Sequence, residues 1–344
     1  MDRGTTGGGF FRWLGFSVAL LTSCAGGGPL APDGEQEWAS VAPADDGKGA
    51  PGGNRAAEPA KTSAPLVRRA PDEFVVLDAG REPRSAVRYR YRAGESSTVR
   101  LRMNLSIAML VQGRRVRLGL PTQMDVQSAT LQVDAVGNAR RLHRFTRASL
   151  FDLNTSGFSP SADMRKFAED FTSRVEHMAI EEVVDARGAV VETTARFSED
   201  ADPMLRQSIG DLQDALGEST VPFPEQPIGV GARWLRKNKM LEGGVSYDQE
   251  VVTTLTALDG ARAETTVELV QRAPRQEYAL PNGTLAEIEV SETTARGTSR
   301  VQLTPFAVKA QTQASGRHVM RFGAESLSIE TSMSLELSTL GKQL

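Results

Sequence analysis

The chain has a single cysteine, Cys24, only three histidines, and aromatic residues at 6% of its 344 positions. Each shortage narrows the possibilities. One cysteine leaves an unpaired thiol, which is unusual for a secreted protein. Scarce aromatics mean that a core must be built from Val, Leu, Ile, Met and Ala. The histidines, His143, His177 and His318, do not assemble a metal motif. His177 and Glu181 stand four apart with Glu182 and Asp185 nearby, but a further convergent ligand is missing, and a solvated helix end accounts for them. His143 and His318 fall in strand-like patterns and read as structural. There is no Gly-x-Ser-x-Gly elbow and no phosphate-cradling loop ending in Lys-Ser/Thr. Glu287 and Glu289 share a face by alternation alone. The chain therefore reads as non-enzymatic, with no metal and no cofactor. Lys and Arg total 40 against 43 Asp and Glu, a near-balance that argues against nucleic acid as a partner. No apolar run approaches the ~20 residues of a spanning helix.

What is present begins at the amino terminus. Arg3 and Arg12 precede the apolar run Trp13–Leu21, and the small residues Thr22 and Ser23 lead to Cys24. Leu21-Thr22-Ser23-Cys24 resembles the lipobox of a bacterial lipoprotein. The resemblance implies a signal peptide over residues 1–23, a diacylglycerol on Cys24 and an acylated new amino terminus. The membrane is then a partner through a lipid anchor, held by about 0.8 kcal/mol per buried methylene. Ala25 rather than Asp follows the cysteine, which by analogy with enteric sorting implies the outer membrane. The alternative is an ordinary secretory signal with a chance cysteine.

From 24 to 72 the chain is rich in Gly, Pro and Ala, as in Gly26-Gly27-Gly28-Pro29 and Pro51-Gly52-Gly53-Asn54. Apolar periodicity is absent, so little burial offsets the entropy of ordering. This stretch reads as a disordered tether with an r.m.s. span of about 40 Å. A binding segment around Trp38 is the competing reading.

Residues 73–344 read as one antiparallel β-rich domain. Val99, Leu101, Met103, Leu105, Ile107 and Met109 alternate with polar residues, the signature of a strand with one buried face. Gln112-Gly113 turns the chain, and Pro121 fits an edge, bulge or strand end. A phase slip predicts a bulge near 127–129. Asp185–Gly188 closes a hairpin, and Asp259-Gly260 and Asn282-Gly283 are strong hairpin signals. Gly297 and Ser315-Gly316 read as further turns, and 327–337 as a last strict strand. Ser159-Pro160 and Asp202-Pro203 read as helix starts. Helices are predicted near 160–178 and 203–216, with Met164, Phe167, Phe171 and Met178 on one stripe and Leu205, Ile209, Leu212 and Leu216 on the other. The expected fold class is mainly β (α+β): a large curved antiparallel sheet, half-barrel-like, covered by two amphipathic helices. At the level of architecture this is similar to half-barrel lipoproteins that carry lipids or lipoproteins across cell envelopes.

Between helices and sheet, the proline-rich Val221–Trp234 resembles an element of uncharacterised β-rich bacterial envelope lipoproteins; it implies no activity, and a structural crossover explains it as well. Two functional readings follow. In the first, sheet and helices enclose a lipid or other hydrophobic ligand, with Met164, Phe167, Phe171, Met103 and Met109 facing it; the same residues serve equally as plain core. In the second, the anchored domain is a structural or interaction protein. Arg88, Arg90, Arg100 and Arg102 share one parity across an expected hairpin and would contact anionic material or an envelope protein. Neutralisation by acidic strands bearing Glu330 and Glu336 is the competing account of that ladder.

Overall fold

A computed structural model describes residues 62–63, 67–68, 73–111, 114–150, 178–197, 221–242, 245–279, 285–323 and 325–341. The strands in chain order are β1 (Thr62–Ser63), β2 (Val67–Arg68), β3 (Glu73–Asp78), β4 (Ser96–Val111), β5 (Arg114–Val133), β6 (Ala139–Leu150), β7 (Ala179–Val184) and β8 (Val190–Phe197). They continue as β9 (Arg233–Glu242), β10 (Val245–Asp259), β11 (Arg262–Ala273), β12 (Gln276–Ala279), β13 (Leu285–Leu303), β14 (Phe306–Phe322) and β15 (Glu325–Thr339). All pair antiparallel in one sheet, in the order β1-β8-β7-β6-β5-β4-β15-β14-β13-β11-β10-β9-β3. The chain's last strand thus inserts beside β4, between the two meanders.

The α+β expectation is corrected. Among the described residues there is no helix, and the fold there is all-β. The expected helices at 160–178 and 203–216 lie outside the described residues except for Met178, a buried residue leading into β7. What closes one end of the inner face is irregular chain instead. Residues 79–92 run beneath the sheet as a strap, joined to Val221–Ala232 by the Ser85–Ile228 bridge.

That strap curls the sheet. The amide of Tyr89 donates to Ala186 O in the β7–β8 turn at 2.8 Å, and the next amide, Arg90, donates to Leu303 O at the end of β13 at 2.9 Å. In a flat sheet β7 and β14 would stand about 24 Å apart, with β6, β5, β4 and β15 between them. Consecutive amides cannot bridge that gap, so the strands must wrap until the two hairpin tips meet. The Arg141 guanidinium on β6 lies 4.7 Å from the ring centroid of Phe306 on β14, which requires the same wrapping. Scarce aromatic residues collect here. Tyr89 stacks on Tyr91 and packs on Phe223 and Phe306, and Phe223 meets Trp234, all with centroids 5.6–6.0 Å apart.

Alternation sets the two faces. On β4, Val99, Leu101, Met103, Leu105 and Ile107 are buried, as are Ile329, Met333, Leu335 and Leu337 on β15. The outer face carries cross-strand ion pairs such as Arg272–Glu292, Arg300–Glu264 and Lys237–Glu250. A face so charged belongs in water, the reverse of a transmembrane barrel's apolar outer band.

Several local expectations shift. Residues 88–92 alternate in burial but bond to turn carbonyls, so they form no strand of a hairpin with β4. The bulges of the β5–β6 pair fall between Asp125 and Val126 and between Thr130 and Gln132, on either side of the expected site. Pro121 lies within β5 opposite Asn104 of β4, and the described β5–β6 pairing reaches Thr122. Val290, which shares the alternating apolar phase of Ala286 and Ile288, is turned outward by a register shift after Ile288. Neither Gly297 nor Gly316 makes a turn; both lie within long strands, and the β13–β14 turn is at Thr304-Pro305. Pairing also begins before residue 73, since β1 and β2, within the expected tether, pair with β8.

The strap makes a sharp demand at Gly229, where an added Cβ would stand 1.8 Å from Arg81 O and 3.2 Å from Pro83 O. Gly229→Ala is expected to cost about 2 kcal/mol or more, lowering Tm by several degrees. Thermal unfolding of the variant checks this; an unchanged Tm would mean that the strap does not hold the sheet closed.

Candidate functional site

The inner face is less apolar than its pattern suggests. Register places Asn238 (β9) opposite Gln249 (β10), Gln249 opposite Gln271 (β11), and Gln271 opposite Thr293 (β13). Thr293 in turn faces Gly316 (β14), and Gly316 faces Thr331 (β15). One row of uncharged residues, polar on five strands and glycine on β14, therefore crosses six strands. On one side it is flanked by Val251, Leu269, Ala295, Ala314 and Met333, with Arg236 at the β9 end, and on the other by Tyr247, Ser291, His318 and Ile329. Gln249 is 1% exposed, Gln271 4% and Thr331 4%. Neither amide atom of Gln249 or Asn238 has a protein hydrogen-bond partner, and the same holds for Gln271 Oε1 and Thr331 Oγ1. Buried polar atoms left this way cost about 1–3 kcal/mol each, so the row is a standing expense of the fold.

His318 adjoins the row, two residues beyond Gly316 on β14 and in the same inward phase as Ala314 and Gly316. Its Nδ1 lies 2.8 Å from Ser291 Oγ across the β13–β14 pair, while Nε2 has no protein partner. Gly316 lets the polar atoms converge: a Cβ there would stand 2.6 Å from Thr331 Oγ1 and 2.9 Å from both His318 Nε2 and Thr293 Oγ1.

A second histidine offers a control. His143 (β6) also meets a serine across its strand pair, with Nδ1 2.7 Å from Ser128 Oγ. Its Nε2, however, lies 2.8 Å from Glu182 Oε1, which also accepts from Arg141 at 3.2 Å. Both ring nitrogens are engaged. Serine, histidine and carboxylate suggest a nucleophilic relay by composition, but Ser128 is 5% and His143 1% exposed, and the hydroxyl points into a filled cluster. This is a buried charge network, joined through Glu182 Oε1, that ties β5, β6 and β7 together. Glu181 bonds Arg140 at its edge.

Of the residues singled out in the sequence, Met103 is buried on the inner face of β4, and Met109 pairs with Ile329 beside His318. Met164, Phe167, Phe171, His177 and Cys24 lie outside the described residues. The arginine ladder is largely engaged. Arg100 grips Asp125 at 2.7 and 2.8 Å, Arg102 bonds Gln123, and Arg88 bonds the carbonyls of Val87, Pro224 and Glu225. Arg90 is exposed on the strap. Arg100 holds the Asp125 carboxyl below its ordinary range. On the outer face, Glu287 takes both Arg275 and Arg321, which lower its pKa to about 2.

No protein-family model matches the chain, and no curated protein matches it. Among solved structures, the chain is similar to OccK2 (OpdF) of Pseudomonas aeruginosa, at 6% identity and TM-score 0.21, covering 72% of this chain and 98% of that one. It is similar to OccK8 (OprE) of the same organism at 7% identity and TM-score 0.16, covering 72% of this chain and 98% of that one. At these TM-scores neither likeness carries an inference about fold or function.

Burial pushes the His318 pKa down from 6.5 to about 4. Between those values the unfolded chain binds a proton that the folded chain refuses, so this group's contribution to stability is lost as pH falls from 6.5 towards 4. The loss is expected to approach about 3 kcal/mol, and His318→Gln is expected to remove that share of the slope. Urea unfolding of both proteins between pH 7 and 4.5 checks it; parallel slopes would contradict it.

Proposed function

We propose that the protein is a non-enzymatic, membrane-anchored envelope lipoprotein whose curled sheet holds an amphiphilic ligand against its inner face. The observation that carries the reading is the line of unpartnered amide and hydroxyl atoms set beside the apolar row Val251, Leu269, Ala295, Ala314 and Met333. Core packing alone would favour apolar residues at those positions, because unmet polar groups oppose folding. A ligand with an apolar body and hydrogen-bonding groups would use both parts of the face. Met103 and Met109, unbranched and adaptable, suit the apolar part. The lipobox-like Leu21–Cys24 supports attachment at Cys24, with the outer membrane as the favoured location, and the charged outer face supports a domain standing in water beyond its anchor.

Replacing an unsatisfied glutamine by an apolar residue separates function from folding. Gln249→Leu is expected to raise stability by about 1 kcal/mol while reducing the co-purified ligand seen by native mass spectrometry of the detergent-extracted protein. A wild type with no adduct beyond its own acyl chains, together with a destabilised Gln249→Leu variant, would overturn the reading. Attachment is tested separately. Cys24→Ser is expected to move the protein from the membrane pellet to the soluble fraction, and continued membrane binding would contradict the anchor.

A further inference from the structure

Resting on the ligand reading above, we infer that the inner face selects a neutral, hydroxyl-rich head group, which the convergence of Thr331, His318 and Thr293 at Gly316 and the facing amides of Gln249 and Gln271 would hydrogen-bond. Three observations lead there. First, every member of the row, from Asn238 to Thr331, is uncharged at neutral pH, and burial keeps the adjoining His318 neutral as well. The next inward residues along these strands are Val251, Leu269, Ser291, Ala295, Ala314, Ile329 and Met333, none of them charged. On β9 the neighbour is Arg236, which is 9% exposed and already has a partner.

Second, the unpartnered atoms are of both kinds. Gln249 and Asn238 offer an amide N–H and a carbonyl oxygen each, Gln271 a carbonyl oxygen and Thr331 a hydroxyl. A hydroxyl donates and accepts at once, so a head group bearing several can satisfy this mixed set. A phosphate or carboxylate only accepts and would be desolvated here without a free cation. Third, Gly316 permits the close approach: the Thr331 and His318 atoms that lack partners reach to within 2.6 and 2.9 Å of where its side chain would begin. Any Cβ there would push them apart.

The test uses the full-length wild-type chain and two head groups on one tail, n-dodecyl-β-maltoside and dodecyl phosphate, each titrated as monomer by calorimetry at pH 7. The maltoside is expected to bind about tenfold more tightly or better. Gly316→Ala is expected to erase that preference, and so is the near-isosteric Thr331→Val, which keeps the packing and covers the case in which the glycine variant fails to fold. Equal or tighter binding of dodecyl phosphate would overturn the head-group inference while leaving an amphiphile-binding face. Binding of neither amphiphile would overturn the ligand reading itself. A preference for the maltoside that survives in Thr331→Val would overturn the assignment to this cluster.

Discussion

Two hydrogen bonds from consecutive amides set the shape of this molecule. Tyr89 and Arg90 fasten the β7–β8 turn and the end of β13 to one strap, although four strands lie between β7 and β14 in the sheet. Wrapping is the only way to satisfy both. Once the sheet is wrapped, its inner face loses water, and each polar residue on it must find a partner or oppose folding. At the closed end the Tyr89 hydroxyl bonds Val221 and His143 is held between Ser128 and Glu182, although the buried Tyr91 hydroxyl has no partner. The polar row on the other strands gathers more such atoms along one line.

The two Ser–His pairs make the contrast concrete. Ser128–His143 and Ser291–His318 are built alike, each a direct cross-strand pair with the hydroxyl at Nδ1. At His143 the second nitrogen meets Glu182, and the ring is part of the scaffold. At His318 the second nitrogen is left without a protein partner beside Gly316 and Thr331. The same local device thus serves structure on β6 and leaves an unmet hydrogen-bonding demand on β14. Unmet hydrogen-bonding atoms gathered along one inner band are the pattern expected of a binding surface.

Much of the sheet was legible because period-two alternation is strong on β4 and β15. It fixed which residues face inward, but not what their backbones bond to. Residues 87–91 show this: Val87, Tyr89 and Tyr91 face inward like a strand, while their amides and carbonyls serve a strap. Glycine usually marks a turn, but Gly297 and Gly316 instead make room for threonine side chains across the sheet. The polar row had a signal of its own. Gln249 stands between Tyr247 and Val251, Gln271 between Leu269 and Ala273, and Thr331 between Ile329 and Met333, each a polar residue in an apolar phase. Their alignment into one band depends on register across six strands, and β15's place beside β4 and β14 is a long-range fact that no local pattern contains. The arginine ladder is legible as a parity, but its neutralisation is not: Asp125, which holds Arg100, borders the first β5–β6 bulge between the buried Met124 and Val126.

The account's central claim is that the band around His318 is a surface that takes a ligand, and the imidazole nitrogens report on it directly. Long-range nitrogen–proton NMR of the histidine side chains, recorded with and without dodecyl maltoside, compares two buried rings in one spectrum. The account predicts that the His318 Nε2 resonance shifts on binding while both His143 nitrogens, held between Ser128 and Glu182, stay in place. An unmoved His318 at saturating amphiphile, or equal shifts at both rings, would contradict it.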